Sequence, residues 1–355
     1  MSGATDSLQN LLGIQLPVIQ APMAGSQGSA LAVAVCQAGG LGSLPAATLS
    51  LDALRAELEV LQAKAKGPYN VNFFAHRPPV SDPVREAGWN QALAPFYAEA
   101  GLPAPTAPAV AARAPFSAEA AALLEAFRPP VVSFHFGLPD PALLARVKAW
   151  GAKVLSSATT VEEGLWLEAH GADAVIAQGL EAGGHRGHFL NDDLSTQLGT
   201  FALLPQLVRA LRVPVIAAGG IVDAAGVAAA RALGAAGVQV GTAYLLCPEA
   251  QTSPMHRAAL QSADACHTAL TNVFTGRPAR GIVNRAMREL GQGAVGLSPL
   301  APAFPLAATA MAPLRTAAEQ AGRHDFTPLW AGQGAPLCRP LPAAQLTQAL
   351  AQGWA

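Results

Sequence analysis

The sequence predicts an α/β chain folded as a (β/α)8 TIM barrel, with a mainly helical cap drawn from one insertion and the C-terminal region. Two observations carry this. Short β-rich runs alternate with helix-like runs, the pattern of a parallel sheet covered by helices. Eight such strands precede residue 246, the number that closes a barrel. An open Rossmann-like sheet is the rival, and it is weakened because no G-x-G-x-x-G opens the first helix after a strand.

The elements follow in order. Residues 17–23 (PVIQAPM) read as a strand, and 28–40 as a helix ending at Gly39 or Gly40. A short strand at 41–45 precedes the clearest amphipathic helix, 50–65, for which Ser50 offers an N-cap oxygen. The third strand is YNVNFF (69–74). Residues 75–130 then break the alternation. They are rich in proline and alanine and hold two expected helices, near 83–100 and 117–127. Strands resume at 131–137, 153–158, 172–179, 213–220 and 237–245, with helices between them. No convincing strand is visible in 246–355. The expected division is therefore a barrel of 11–74 plus 131–245, and a helical cap of 75–130 plus 246–355, packed together over the barrel mouth.

Hydrophobic residues make up 51% of the 355-residue chain and charged residues 13%, so a large core is expected and disorder is not. With a net charge of −1 and no Lys/Arg-rich run, nothing favours nucleic acid. The four cysteines are far apart and outside any C-x-x-C pair, which argues against a disulfide framework or a zinc site. The N-terminal MSGATDSLQNLLG has neither the basic nor the apolar region of a signal peptide. No apolar run approaches the roughly 20 residues that span a bilayer. A cytoplasmic protein is expected, and a homodimer is left open.

In such barrels chemistry sits at the C-terminal ends of the strands. Those ends are small or amide residues here, which suits a neutral heteroaromatic ring and not a metal. The loop AQGLEAGGHRGHF (177–189) sets four glycines around His185, a proton-handling group in backbone that can approach a ligand closely. The last two barrel strands end in AAGGI (217–221) and VGTAY (240–244). Barrels bind phosphate in the loops after those strands, through backbone N–H groups and a helix N-terminus. Phosphate beside an amide-lined ring site reads as FMN, with a phosphorylated sugar or purine as the other readings.

QAPMAG (20–25), YNVNFF (69–74), SFHFG (133–137), AQGLEAGGHRG (177–187), AAGGI (217–221), VQVGTAYL (238–245), GRPARGIVN (276–284) and LWAGQ (329–333) together resemble the nitronate monooxygenases, FMN-dependent barrel enzymes once called 2-nitropropane dioxygenases. The resemblance implies that Asn72 and Gln178 hydrogen-bond the flavin ring and that Met23 packs near its edge. Gly183 would let the loop pass close to the ring. Gly220, Gln239, Val240, Gly241 and Thr242 would hold the phosphate, and His185 would be the catalytic histidine. The implied activity oxidises a nitronate, such as propionate 3-nitronate, with O2 to a carbonyl compound and nitrite. Two departures bear on the substrate. Ser26 follows Gly25 where many members have a second glycine, and Phe304 stands in the C-terminal lid where several members place tyrosines.

Of the other polar groups, His135 ends the fourth strand and is a substrate-side candidate. His188 reads as a supporting or exposed residue, and His170 as structural at a helix end. His76 opens the insertion and either faces the site or does not. Arg186 either attracts an anionic substrate or is solvated, and Asp192-Asp193 reads as a solvated loop. Two rival functions stand beside the first. One is an NAD(P)H-dependent flavin reductase of the quinone or enoyl-acyl carrier protein type; the other is a flavin- or phosphate-ligand-binding protein without turnover.

Overall fold

The computed structural model describes residues 5–105, 113–292 and 296–355. The strands, in chain order, are β1 (Val18–Gln20), β2 (Gly42–Pro45), β3 (Tyr69–Phe74), β4 (Val131–His135), β5 (Lys153–Ala158), β6 (Ala174–Gln178), β7 (Gly184–His185), β8 (Val215–Ala218), β9 (Gly237–Val240), β10 (Thr268–Thr271) and β11 (Ala279–Ile282). Eight of them form one parallel sheet in the order β1-β9-β8-β6-β5-β4-β3-β2. A parallel bridge between Ile19 and Leu41 joins β1 to the start of β2, so the sheet closes on itself. The (β/α)8 barrel expected from the alternation is what forms.

Its strands are short and almost wholly buried, as parallel strands must be when helices cover one face and the barrel interior the other. The lower interior is an apolar plug of Ile19, Leu41, Val131, Leu155, Ile176 and Ile216. The helix Thr5–Leu12 seals that end by adding Leu8 and Leu12. Above it the interior turns polar. Asn70 Nδ2 donates to Ser43 Oγ (3.0 Å) and Ser133 Oγ (2.8 Å), and Asn72 Nδ2 donates to Ser133 Oγ (2.9 Å). That layer marks where the packed core ends and the mouth begins.

The insertion helix Pro83–Glu99 starts at an Asp82 cap and buries Trp89, Leu93 and Tyr97. These three pack with Val273, Phe274, Met287, Met311, Leu314 and Phe326 of the C-terminal region in one cluster separate from the barrel's. Insertion and C-terminal region thus come together, but less of each does so than the expected division supposed. Helix Ala118–Phe127 buries Ala121 and Leu124 against the barrel layer that holds Leu58, Leu61 and Phe134. Helix Ala343–Ala351 packs on the helices Ser29–Gln37 and Ala224–Ala232. Both are barrel helices by packing, since their buried residues join the barrel's clusters rather than the cap's.

A second difference lies in 246–355, where no strand was expected. β10 pairs antiparallel with β11, and β11 with β7, in a three-stranded sheet. TALT and ARGI are four residues each and lack the apolar run that marks a barrel strand, so composition gives no sign of them. Among the described residues no helix is long and apolar enough to cross a membrane.

The barrel's closeness to its helices makes one glycine indispensable. A Cβ on Gly42 would lie 2.6 Å from the main-chain carbon of Ala32, and backbone cannot yield as a side chain can. Gly42→Ala is expected to lower stability by about 1–3 kcal/mol, as other overpacked core substitutions do. Gly67→Ala, whose nearest neighbour is Cys36 O at 3.7 Å, is the control and should be near neutral. Thermal unfolding of the two variants beside the parent checks this.

Candidate active site

The barrel mouth opens into a cavity with about 1370 Å³ of empty space, counted out to solvent. Met23, Asn72, His135, Gln178, Gly183, His185, Gly220, Gln239, Gly241 and Thr242 all line it, so ten of the eleven candidates from the strand ends, the histidine loop and the resemblance gather at one place. Val240 is the exception. Its side chain is buried in the barrel–helix core, and its carbonyl accepts from Ala21 N–H (2.8 Å). It ends its strand facing outward, because alternate strand residues face opposite sides.

His185 is not on a free loop. It is the end of β7, in register with Ala279, while Gly184 pairs with Arg280. Gly184 reaches that pairing with φ of +72°, a left-handed conformation that glycine adopts without strain. The His185 carbonyl accepts two side-chain donors, Gln178 Nε2 (2.9 Å) and His135 Nε2 (3.1 Å). A carbonyl cannot donate, so His135 carries its proton on Nε2, and its Nδ1 accepts from the Ser157 hydroxyl (3.1 Å). Gln178 completes the clamp by accepting the Gly187 N–H through Oε1 (2.7 Å). Both ends of the Gln178 amide therefore hold the histidine loop, a role the resemblance did not assign. The His185 ring in turn meets Thr275 Oγ1 through Nε2 (2.9 Å).

Gly183 also differs from expectation in its reason. A Cβ there would lie 2.5 Å from Gly332 N and 2.6 Å from the Ala331 carbonyl carbon. The chain that needs the space is the protein's own segment at 331–332, although Gly183 still borders the cavity.

Arg186 is fully buried, neither solvated nor facing the cavity. Its guanidinium donates to Gly179 O (2.7 Å), Gln178 O (2.8 Å) and Gln197 Oε1 (2.8 Å). Burial pushes its pKa down to about 10, which still leaves it charged near neutrality. Sequence reasoning missed three further supports. Arg280 Nε donates to Leu180 O (2.8 Å). Glu163, 1% exposed, accepts from Thr159 N (2.7 Å) and Phe189 N (2.6 Å), tying β5 to the end of the histidine loop. Glu181 accepts Thr200 N–H and thereby caps helix Thr200–Ala210. Each reaches at least one main-chain atom far away in sequence, so no local motif announces it.

Phe136, next to His135, has φ of +73°. For a bulky residue this is a strained conformation. Its ring is held in place by the Arg277 guanidinium, 4.1 Å from the ring centroid, and by Phe74 at 4.9 Å and Phe304 at 5.4 Å. Phe304, the residue that departs from the family's tyrosines, also sits 5.3 Å from His185 and 4.9 Å from His76, ring to ring.

The histidines around this aromatic cage are neutral. Burial, then the charges of Arg113 and Arg277, hold His185 well below the ordinary 6.5. Burial likewise lowers His135 to about 3 and His76 to about 4. His188 is buried rather than exposed, and burial takes it to about 3 as well. His170 stacks on Trp166 at 3.8 Å and bonds Trp166 O through Nδ1, the structural role expected of it. Among the described residues no cluster of three or more His, Cys, Asp or Glu could hold a metal ion.

The family model for nitronate monooxygenase matches residues 5–353. The nitronate monooxygenase of Pseudomonas aeruginosa is 45% identical over 353 residues, 98% of this chain and 99% of the relative. The chain belongs to the nitronate monooxygenase family. It is an enzyme of that group, and a second nitronate monooxygenase, from Paraburkholderia phytofirmans, is 44% identical over 97% of this chain and 93% of its own. Among solved structures, a nitroalkane oxidase from Streptomyces ansochromogenes superposes with a TM-score of 0.87 at 39% identity, covering 97% of this chain and 96% of that one. FabK from Thermotoga maritima superposes at 0.72 with 27% identity, over 98% and 95%.

The buried neutral histidines make this nitronate monooxygenase fold acid-sensitive. Their folded pKa values lie below the unfolded 6.5, so the unfolded chain binds more protons as pH falls past 6.5. Stability should be full above that value and drop by about 1.4 kcal/mol per pH unit for each such histidine, until the folded value is reached. Denaturant melts at pH 7 and pH 5 test it; an unchanged midpoint would show that these rings are not buried neutral.

Proposed function

We propose that the chain is an FMN-dependent nitronate monooxygenase that oxidises alkyl nitronates, such as propionate 3-nitronate, with O2 to a carbonyl compound and nitrite. The observation that carries the reading is a neutral histidine, His185, clamped at the wall of a cavity beside an aromatic cage. A base this weakened is poorly matched to pulling a proton from a neutral nitroalkane. A preformed nitronate needs no proton removed, and His185 can serve it as a hydrogen-bonding partner.

The residues fit FMN. Gln239 Oε1 is a buried acceptor without a protein partner on the cavity wall, the sort of group a ring N–H would satisfy. Gly219 (φ +117°) and Gly220 (φ +73°) turn the chain after β8 in a way that glycine permits. With Gly241 and Thr242 they would hold the phosphate. Asn72 would meet the ring, and so would Gln178 through the amide hydrogen that the His185 carbonyl leaves over. Bound FMN would supply the redox chemistry, accepting an electron from the nitronate and passing reducing equivalents to O2. The protein's own part is to exclude water with Phe74, Phe136 and Phe304 and to hold His185. Thr275 Oγ1 also reaches Arg277 O at 3.5 Å. That contact is long, and donation to His185 Nε2 at 2.9 Å instead leaves the ring proton on Nδ1, the atom that can donate to a nitronate oxygen.

The likeness to FabK supports a second reading, a flavin reductase using NAD(P)H. Anaerobic mixing separates the two. Nitronate, and not NADH or NADPH, should bleach the flavin absorbance under the first reading, and the opposite result would install the second.

The cofactor assignment has its own test. A Cβ at Gly241 would sit 3.4 Å from Ala21 Cβ and 3.8 Å from Met23 Sδ, ordinary contact distances, so Gly241→Asp should fold. Its carboxylate would then repel the phosphate. The expected product is folded protein with little FMN; full FMN content would move the phosphate elsewhere.

His185→Asn keeps a donor but changes its position. Turnover of the preformed nitronate should fall by about 10-fold, the low end for a hydrogen bond to a charged group. Neutral nitroalkanes should be poor substrates for parent and variant alike, because His185 is a weak base. Steady-state rates for both forms, at matched FMN content, decide this. A loss of about 10²–10⁴-fold confined to the neutral nitroalkane would make His185 a general base instead, and no loss on either would leave it a structural residue.

A further inference from the structure

Two ionisable side chains besides the histidines line the cavity among the described residues, Glu181 and Arg113. Glu181 is committed to the helix it caps, accepting Thr200 N–H and the Thr200 hydroxyl. Arg113 has no such commitment. It stands where the insertion returns to the barrel, with Cζ 5.9 Å from the Phe304 ring centroid. Its Nη1 is buried and has no hydrogen-bond partner. No carboxylate lies within ion-pair distance of it among the described residues. The other guanidiniums of the region are engaged. Arg186 and Arg280 donate to main-chain carbonyls at the base of the loop, and Arg277 donates to the carbonyls of Arg186 and His188.

Arg113 as a whole is half-buried, but a guanidinium nitrogen cut off from water without a partner is costly, and that cost is repaid only when an acceptor or an opposite charge meets it. Arg113 is therefore a guanidinium poised for an anion that comes from outside the chain. We infer that Arg113 is the cation that receives the anionic group of the substrate, and so selects charged substrates over neutral ones of the same shape. The histidines cannot share this role, since His76, His135 and His185 are held neutral. The planar fork of a guanidinium matches a two-oxygen group bidentately, and both a nitronate and a carboxylate present one. The aromatic wall of Phe74, Phe136 and Phe304 beside it excludes the water that would otherwise screen the pair.

This inference rests on the proposed function for the identity of the substrate and deepens it by naming what recognises the charge. The test uses probes that are not turned over. The purified holoenzyme is titrated calorimetrically with nitrate, a planar mimic of the nitronate group, with propionate, and with propionamide, the neutral isostere of propionate. The parent should bind at least one of the anions more tightly than the amide. Arg113→Met should weaken that anion by about 10- to 100-fold, the span expected for a charged hydrogen bond, and leave propionamide unchanged. Arg113→Lys should restore part of the loss. A loss confined to nitrate places the nitronate group on Arg113, and one confined to propionate places a carboxylate there. Should the Met variant not fold, Arg113→Gln makes the same comparison with a side chain that keeps polarity. Equal anion affinity in parent and variant, or a parent that binds neither anion better than the amide, overturns the inference. An enzyme that binds anions through Arg113 but whose flavin ignores nitronates would refute the proposed function alone. A working nitronate monooxygenase with unaltered anion affinity in the variant would refute this inference alone.

Discussion

The pairing of Gly184–His185 with Ala279–Arg280 is the constraint on which the site depends. A histidine on a glycine-rich loop has no fixed position by itself, because each glycine adds conformational freedom that must be removed. Here the removal comes from three directions. Backbone hydrogen bonds to β11 fix the strand, Gln178 and His135 hold its carbonyl, and Arg186 anchors the strand end from which the loop departs. β11 belongs to the region that also packs against the insertion helix, so His185 is positioned by cap and barrel together. A fault in either would be felt at the same ring.

The same arrangement explains why the site is electrically unusual. The donors that hold the loop are buried, and burial keeps the imidazoles neutral. The buried guanidiniums add to that by repelling a further positive charge. A mouth built this way does not offer a proton on demand. It offers fixed dipoles, apolar rings and one cation, which suits a substrate that arrives already ionised and a redox step rather than an acid–base one.

Much of the barrel was legible in the sequence because its signal is local. Each strand is a short apolar run bounded by turn residues, and its position relative to the next helix follows from the repeat. The lining of the cavity was legible for the same reason, since strand ends are places in a repeat. Asn72, Gln178, Gln239 and His185 could be put at the mouth by counting alone. Val240 stands apart because the two-residue alternation within a strand turns its side chain outward into the core, which leaves only its main chain for a ligand. The three-stranded sheet was not expected because β10 and β11 are four-residue strands without an apolar run, and their third partner, β7, is two residues long and about a hundred residues away. Non-local pairing of this sort leaves no periodicity to read.

Arg186 and Gln178 teach the finer lesson. Each was weighed for what its side chain could offer a ligand; Arg186 is occupied with main-chain carbonyls instead, while Gln178 holds a carbonyl and an N–H and keeps one amide hydrogen on the cavity side. Polar side chains next to permissive backbone are the ones available to satisfy it, so chemistry-bearing residues in a glycine-rich loop are divided between ligand and loop. The division follows from burial. A group that must be dry to hold the backbone is removed from the cavity, as Arg186 is, whereas His185 remains at the wall because its anchor is its carbonyl and its ring is tied by a single bond to Thr275. Orientation of the ring and fixation of the main chain are thus separate interactions. That separation lets the imidazole adjust to a bound substrate without loosening the strand that carries it.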